Sequence, residues 1–150
     1  MGRAIAHIQT VSGNDKILDM RVTLVSIPVR DQEKALEFYT EKLGFITKVN
    51  QLLEDGNRWI TLVSQEDQEG IEILLEPAPI HFEPTKVYQD ALQEANLPYA
   101  QFDVEDVQSE YDRLKQLNVK FSLVPTIYGK EKVAIFDDTC GNNIQLVEKL

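Results

Sequence analysis

The 150 residues carry 15 basic and 25 acidic side chains, a net charge of −10, in a chain that is 43% apolar and 27% charged. A chain of this length buries roughly 68–70% of its unfolded surface, enough for one domain or two small modules sharing a core, which excludes a disordered or fibrous protein. The single cysteine excludes a disulfide framework and any cysteine-based zinc cluster, and the acidic field excludes nucleic acid and anionic membrane as natural partners.

Residues 1–19 lack the apolar run of a secretory signal, and no stretch has the length of a membrane helix, so the expectation is a cytoplasmic protein preceded by a loosely ordered arm. His7 lies in this arm and reads as a solvated side chain. A strand is expected from Met20 onward, because Val25, Ile27 and Val29 alternate with Leu24, Ser26 and Pro28. Asp31 stands at a helix N-cap, Ala35, Leu36, Tyr39 and Leu43 follow at helical spacing, and Gly44 is a natural stop. RWITLV (58–63) and IEILLE (71–76) read as two further strands. Between Pro77 and Pro98 runs a packed linker with a short helix over Lys86–Ala95.

Seventy-five residues after the first strand the pattern returns. Ala100, Phe102 and Val104 alternate with Tyr99, Gln101 and Asp103, and Asp106 takes the cap position. Val107, Tyr111, Leu114 and Leu117 keep helical spacing, with Asn118 near the place of Gly44. Strands follow over Ser122–Tyr128, Val133–Phe136 and Ile144–Glu148. The predicted fold is α+β: two βαβββ modules, 20–76 and 99–150, joined by the linker 77–98 into one domain, 20–150, whose curled mixed sheet encloses a cup. Neither half-sheet can cover both of its faces alone, and a cup between two of them is a natural small-molecule site.

The strings VTLVSIPVRDQEKALEFYTEKLGF, QFDVEDVQSEYDRLKQLNVKF and FDDTCGNNIQLVEK resemble the vicinal oxygen chelate superfamily. That group includes glyoxalase I, extradiol dioxygenases, fosfomycin-resistance enzymes and bleomycin-resistance proteins, so the resemblance implies the fold without fixing an activity. It also implies a homodimer, with modules paired within one chain or across two. Metal-using members carry ligands on the first and last strands of each module. Carried onto this chain, the first-strand positions are Leu24 and Tyr99, and the last-strand positions are Glu72 and Gln145, if IEILLE is superposed on IQLVEK. Only Glu72 is a good ligand in that set, so no metal and no other cofactor is expected.

The ligand-binding residues expected in the cup are Leu24, Ser26, Trp59, Glu72, Tyr99, Gln101, Tyr128 and Gln145. Trp59, Tyr99 and Tyr128 offer a stacking surface for a flat or cationic guest. Glu72 has two readings: a chemical one, as a general base with a raised pKa, a partner for a cationic ligand or a metal anchor, or a structural one, as a charge satisfied by Arg58 or by a neighbouring strand. Cys140 lacks a basic partner in the sequence and reads as part of a turn, and His81 reads as a packed or solvated linker side chain. The function expected from these residues is binding or sequestration of a neutral or cationic small molecule. The alternative is a lyase, isomerase or dioxygenase-like enzyme using Glu72.

Overall fold

The computed structural model describes residues 17–150; His7 and most of the expected arm lie outside the described residues. The first module contains β1 (Leu24–Pro28), α1 (Gln32–Glu37), β2 (Ile46–Leu52), β3 (Arg58–Val63) and β4 (Glu72–Glu76). The linker holds α2 (Ala78–His81) and α3 (Glu83–Glu94). The second module contains β5 (Ala100–Asp103), α4 (Val107–Gln116), β6 (Phe121–Tyr128), β7 (Glu131–Asp137) and β8 (Asn143–Lys149). Each module forms a four-stranded mixed sheet, in the orders β1-β4-β3-β2 and β5-β8-β7-β6. The first strand runs parallel to the last in both.

The two expected caps form identically. Asp31 Oδ1 accepts from the Lys34 N–H at 3.0 Å, and Asp106 Oδ1 accepts from the Ser109 N–H at 2.9 Å. Each carboxylate satisfies one of the donors that a first helical turn leaves unpaired. Helix α1 continues into a π-helical turn over Phe38–Lys42, with the Leu43 N–H reaching the Phe38 carbonyl. The wider turn buries Phe38 and Tyr39 together, although they are consecutive in sequence. Gly44, at φ +81°, then ends the element.

Several boundaries differ from those the sequence predicts, and the last three strands of the second module each extend one or two residues beyond an expected end. The first strand begins at Leu24 and leaves Met20 98% exposed, because the last strand, its only partner, begins at Glu72. Ile71, the first residue of the expected strand IEILLE, precedes the strand and is exposed. The linker helix starts at Glu83 instead of Lys86, with Pro84 in its first turn, and the extra turn α2 precedes it.

Ile27, Leu62, Ile73 and Leu75 from one module share a single apolar core with Leu114, Phe136, Ile144 and Leu146 from the other. Aromatic rings knit the junction: Phe38 lies 6.0 Å from Phe136, and Phe45 5.2 Å from Phe102, centroid to centroid. Such pairs contribute about 0.5–1.5 kcal/mol each beyond the area they bury. The core therefore lies on the helix-bearing sides of the sheets. Because strand side chains alternate, the opposite face of each sheet looks away from it. The two sheets do not close into a barrel.

Candidate functional site

The outward face of the first module is fixed by its register. Leu24 pairs with Glu72, Ser26 with Leu74, and Thr61 with Leu74 from the other side. These residues therefore share a face with Trp59 and Val63. Val63 and Leu74 are buried and make an apolar floor beside the buried, polar Thr61, while Trp59 is 39% exposed at one end. On the second module Gln101 pairs with Gln145, Ile135 with Gln145, and Val133 with Val147. Val133, Ile135 and Val147 are buried there, so this face has a matching apolar floor.

The register corrects one equivalence. Ser26 and Gln101 both stand three residues before the equivalent Val29 and Val104; Ser26 pairs with Leu74, and Gln101 pairs with Gln145. Leu74, not Glu72, is thus the counterpart of Gln145, a shift of two residues that keeps the same face and leaves the string match between IEILLE and IQLVEK misleading. The position that the resemblance assigns to a ligand holds a leucine, which has no donor atom. Among the described residues, no three His, Cys, Asp or Glu side chains are grouped so as to hold a metal ion.

Glu72 is paired, but with neither Arg58 nor a substrate-facing void. Lys48 Nζ lies 3.1 Å from Glu72 Oε1 and 3.9 Å from Glu69 Oε2, whereas Arg58 pairs with Glu33 on α1. Lys48 is the extra residue of a β-bulge, since Thr47 pairs with Leu62 and Val49 with Thr61. The Thr61 hydroxyl beside Glu72 and the Lys48 ammonium hold the carboxyl of Glu72 below the usual carboxylate range. A general base needs the opposite shift, so the raised pKa expected for Glu72 is not present.

On the second face Gln145 Nε2 donates to Gln101 Oε1 at 3.0 Å, and Gln101 Nε2 donates to Asp103 Oδ1 at 3.4 Å. Gln145 Oε1 accepts nothing from the described residues, which leaves a carbonyl oxygen open to a guest. Tyr99 packs edge-on against Tyr88, 6.5 Å between centroids, and partial burial pushes its phenol above its ordinary pKa. Tyr128 lies at the far corner of the same sheet, 60% exposed, beside the β6–β7 turn. Among the described residues Trp59, Tyr99 and Tyr128 do not pack on one another, so one chain does not assemble the expected three-ring stacking surface.

Cys140 belongs to the turn between β7 and β8, 1% exposed, and burial followed by the neighbouring Asp138 charge pushes its thiol up to about 12. His81 ends α2 and is exposed. Residues absent from the sequence-level list form a buried polar clasp instead. Asp138 accepts from Tyr39 Oη at 2.7 Å, from Asn142 Nδ2 at 2.7 Å, and from the backbone N–H groups of Cys140 and Asn142. Gln89 on α3 donates from Nε2 to the Pro28 carbonyl and to Asn142 Oδ1, both at 3.0 Å, and accepts from Arg30 Nε. The clasp fixes linker, first strand and final turn together and presents nothing to solvent. The FDDTCGNN string carries part of this signal; the tyrosine and glutamine that complete it are distant in sequence.

An open crevice of about 850 Å³ lies elsewhere, between the end of the α1 segment, the β3–β4 turn and α4. It contains none of the eight expected ligand-binding residues, and Arg113 bridges it by donating to the Lys42 carbonyl while paired to Glu110.

Residues 21–146 match the family model described as the Glyoxalase/Bleomycin resistance protein/Dioxygenase superfamily. An uncharacterized protein of Bacillus subtilis (strain 168), YurT, is 50% identical over 130 residues, which is 87% of this chain and all of that one. Among solved structures, UcmS2 is 30% identical with a TM-score of 0.75, covering 88% of this chain and 100% of its own. TnmS3, an antibiotic binding protein from Streptomyces sp. CB03234, is 25% identical with a TM-score of 0.68, covering 90% of this chain and 100% of its own. With its paired βαβββ modules and a family match over nearly all of the described residues, the chain belongs to the glyoxalase/bleomycin resistance protein/dioxygenase superfamily.

Proposed function

We propose that this protein binds a flat organic small molecule in a cup, as a sequestering or carrier protein without a metal cofactor. The observation that carries the reading is the pair of outward faces. Each has a buried apolar floor and a polar or aromatic handle, Trp59 on one and the Gln101–Gln145 amide pair on the other. Apolar floors with a few directed polar groups are what small-molecule sites are made of. The antibiotic-binding role named for TnmS3 supports the same reading for a relative of the same fold.

The cup is completed by a second copy of the chain, the first-module face of one protomer opposing the second-module face of its partner. Support comes from the direction of the faces: both look away from the shared core, so within one chain they have no sheet to oppose. No described helix is long and apolar enough to cross a membrane, and one cysteine kept as a thiol is in keeping with a reducing cytoplasm. An enzyme based on Glu72 gains no support, because a carboxylate held by Lys48 below its usual range is a poor proton acceptor.

The test is titration of tag-free protein with a panel of flat neutral and cationic aromatics, read by Trp59 fluorescence and by melting temperature. Elemental mass spectrometry and sedimentation are run on the same sample. Saturable quenching with a raised melt, in a metal-free dimer, is the expected result. Indifference to the whole panel removes the binding reading, and a stoichiometric transition metal with a chelator-sensitive melt replaces it with metal chemistry.

A further inference from the structure

The bulge in β2 spends one extra residue to bring a lysine onto the face that carries Glu72 and the buried Thr61. Bulges re-aim single side chains, and this one aims Lys48 across Thr61 at Glu72, two strands away. Glu72 is half-buried, with a side-chain exposure of 22%, while Lys48 reaches it from an exposed position on the strand, its side chain 35% exposed. Thr61, fully buried between them, has a hydroxyl with no hydrogen-bond partner of ordinary geometry. Glu72, one of the two carboxylates on this face of β4, is therefore already occupied by the protein's own ammonium.

We propose that Lys48 is a specificity-determining residue, which closes Glu72 to cations and biases the cup toward an uncharged flat guest. The proposal rests on the binding reading above and narrows it. A guest carrying positive charge must sit beside the Lys48 ammonium or displace it, and either costs affinity that a neutral analogue keeps. The exclusion is a repulsive element built into the site, distinct from the attraction supplied by the apolar floor and by Trp59. Glu76, the remaining carboxylate on this face of β4, lies toward its other end and is common to every variant compared below.

The experiment uses a matched pair of probes at pH 8, acridine (neutral) and N-methylacridinium (cationic), with affinities read by Trp59 quenching and equilibrium dialysis on the full chain. Lys48→Met is expected to tighten N-methylacridinium about tenfold while acridine changes by less than about threefold. The double variant Lys48→Met with Glu72→Gln is expected to return the cation to its original affinity. Glu72→Gln alone leaves the ammonium without its partner and is expected to weaken the cation about tenfold, which decides the matter if Lys48→Met does not fold. Binding of both probes with a ratio unmoved by these substitutions overturns the proposal and leaves the binding reading standing. Absence of binding by either probe, to any variant, overturns both.

Discussion

Tyr39 Oη donates to Asp138 Oδ2 at 2.7 Å, joining residues 99 positions apart across the junction of the two modules. Neither group is available to solvent: Tyr39 and Asp138 are both 0% exposed. Asp138 is in effect a hub, since its two oxygens accept four hydrogen bonds and so use the full acceptor capacity of an ionised carboxylate. Burial pushes its pKa up, and the donors from Asn142, Tyr39 and Cys140 pull it back down.

Replacing Tyr39 with Phe removes one donor and leaves the carboxylate buried with a vacant lone pair. The expected cost is about 1–3 kcal/mol, read as a lowered midpoint in urea with an unchanged slope. Asp138→Asn is expected to be at least as damaging, because its amide presents a donor toward either Tyr39 Oη or the donors of Asn142 and Cys140. A Tyr39→Phe variant as stable as the parent would mean that the bond contributes nothing to the junction.

Much of this fold can be read from the sequence because its signals are local. Asp31 and Asp106 accept from N–H groups three residues downstream, and a cap needs only its own turn to form. The alternation around Ile27 and Phe102 likewise reports which face meets a helix, and the outward positions Ser26, Gln101 and Gln145 follow from it. What escapes such reading depends on register and tertiary meeting. Lys48 reaches Glu72 only because a bulge interrupts the period of two, and alternation alone would not place it there. The exchange of Leu74 for Glu72 as the counterpart of Gln145 is a two-residue slip, invisible to a pattern whose period is also two. The clasp of Tyr39, Gln89 and Asp138 joins a helix, a linker and a turn that no local pattern connects.

Cys140 should behave as an inert thiol. Its pKa of about 12 leaves almost no thiolate at pH 8, and the side chain is 1% exposed. A chromogenic disulfide reagent at pH 8 is expected to react at the rate of global unfolding, slowed to hours in the native protein and complete within seconds in urea. Fast, stoichiometric labelling of native protein would place a reactive nucleophile in this turn and reopen a chemical role for it.

The Asp106 helix cap should lose its contribution in acid. Alanine at Asp31 or at Asp106 is expected to lower Tm by roughly 3 °C at neutral pH. The backbone N–H and hydroxyl of Ser109 hold the Asp106 carboxyl below its ordinary 3.8. A depressed folded-state pKa means a contribution that is complete above 3.8 and lost as pH falls through the lower folded value. The gap between the parent and Asp106→Ala should therefore be constant from neutrality down to about pH 5 and close below pH 4, followed by circular dichroism melts. A gap that widens in acid would contradict the assigned direction.

Gly141 offers a way to test whether the linker helix is held by the clasp. It sits at φ +103°, and a Cβ placed there would overlap Gln89 Oε1 and Arg30 Nε. Gly141→Ala therefore suffers twice, from a backbone conformation that alanine rarely adopts and from the collision with Gln89. Gln89→Ala alone suffers differently, by leaving Asn142 Oδ1 without the amide that serves it in a buried setting, while the Pro28 carbonyl keeps Asn142 Nδ2. Each single substitution is expected to cost about 2–3 kcal/mol. The double variant should cost less than their sum by about 1 kcal/mol or more, because removing Gln89 also removes one of the two collisions. Strict additivity in urea denaturation would show that the contact to α3 contributes nothing to the penalty, which then comes from the backbone angle and Arg30. A deficit of the expected sign would instead identify the Gln89 side chain as the point where the linker helix is locked to the final turn.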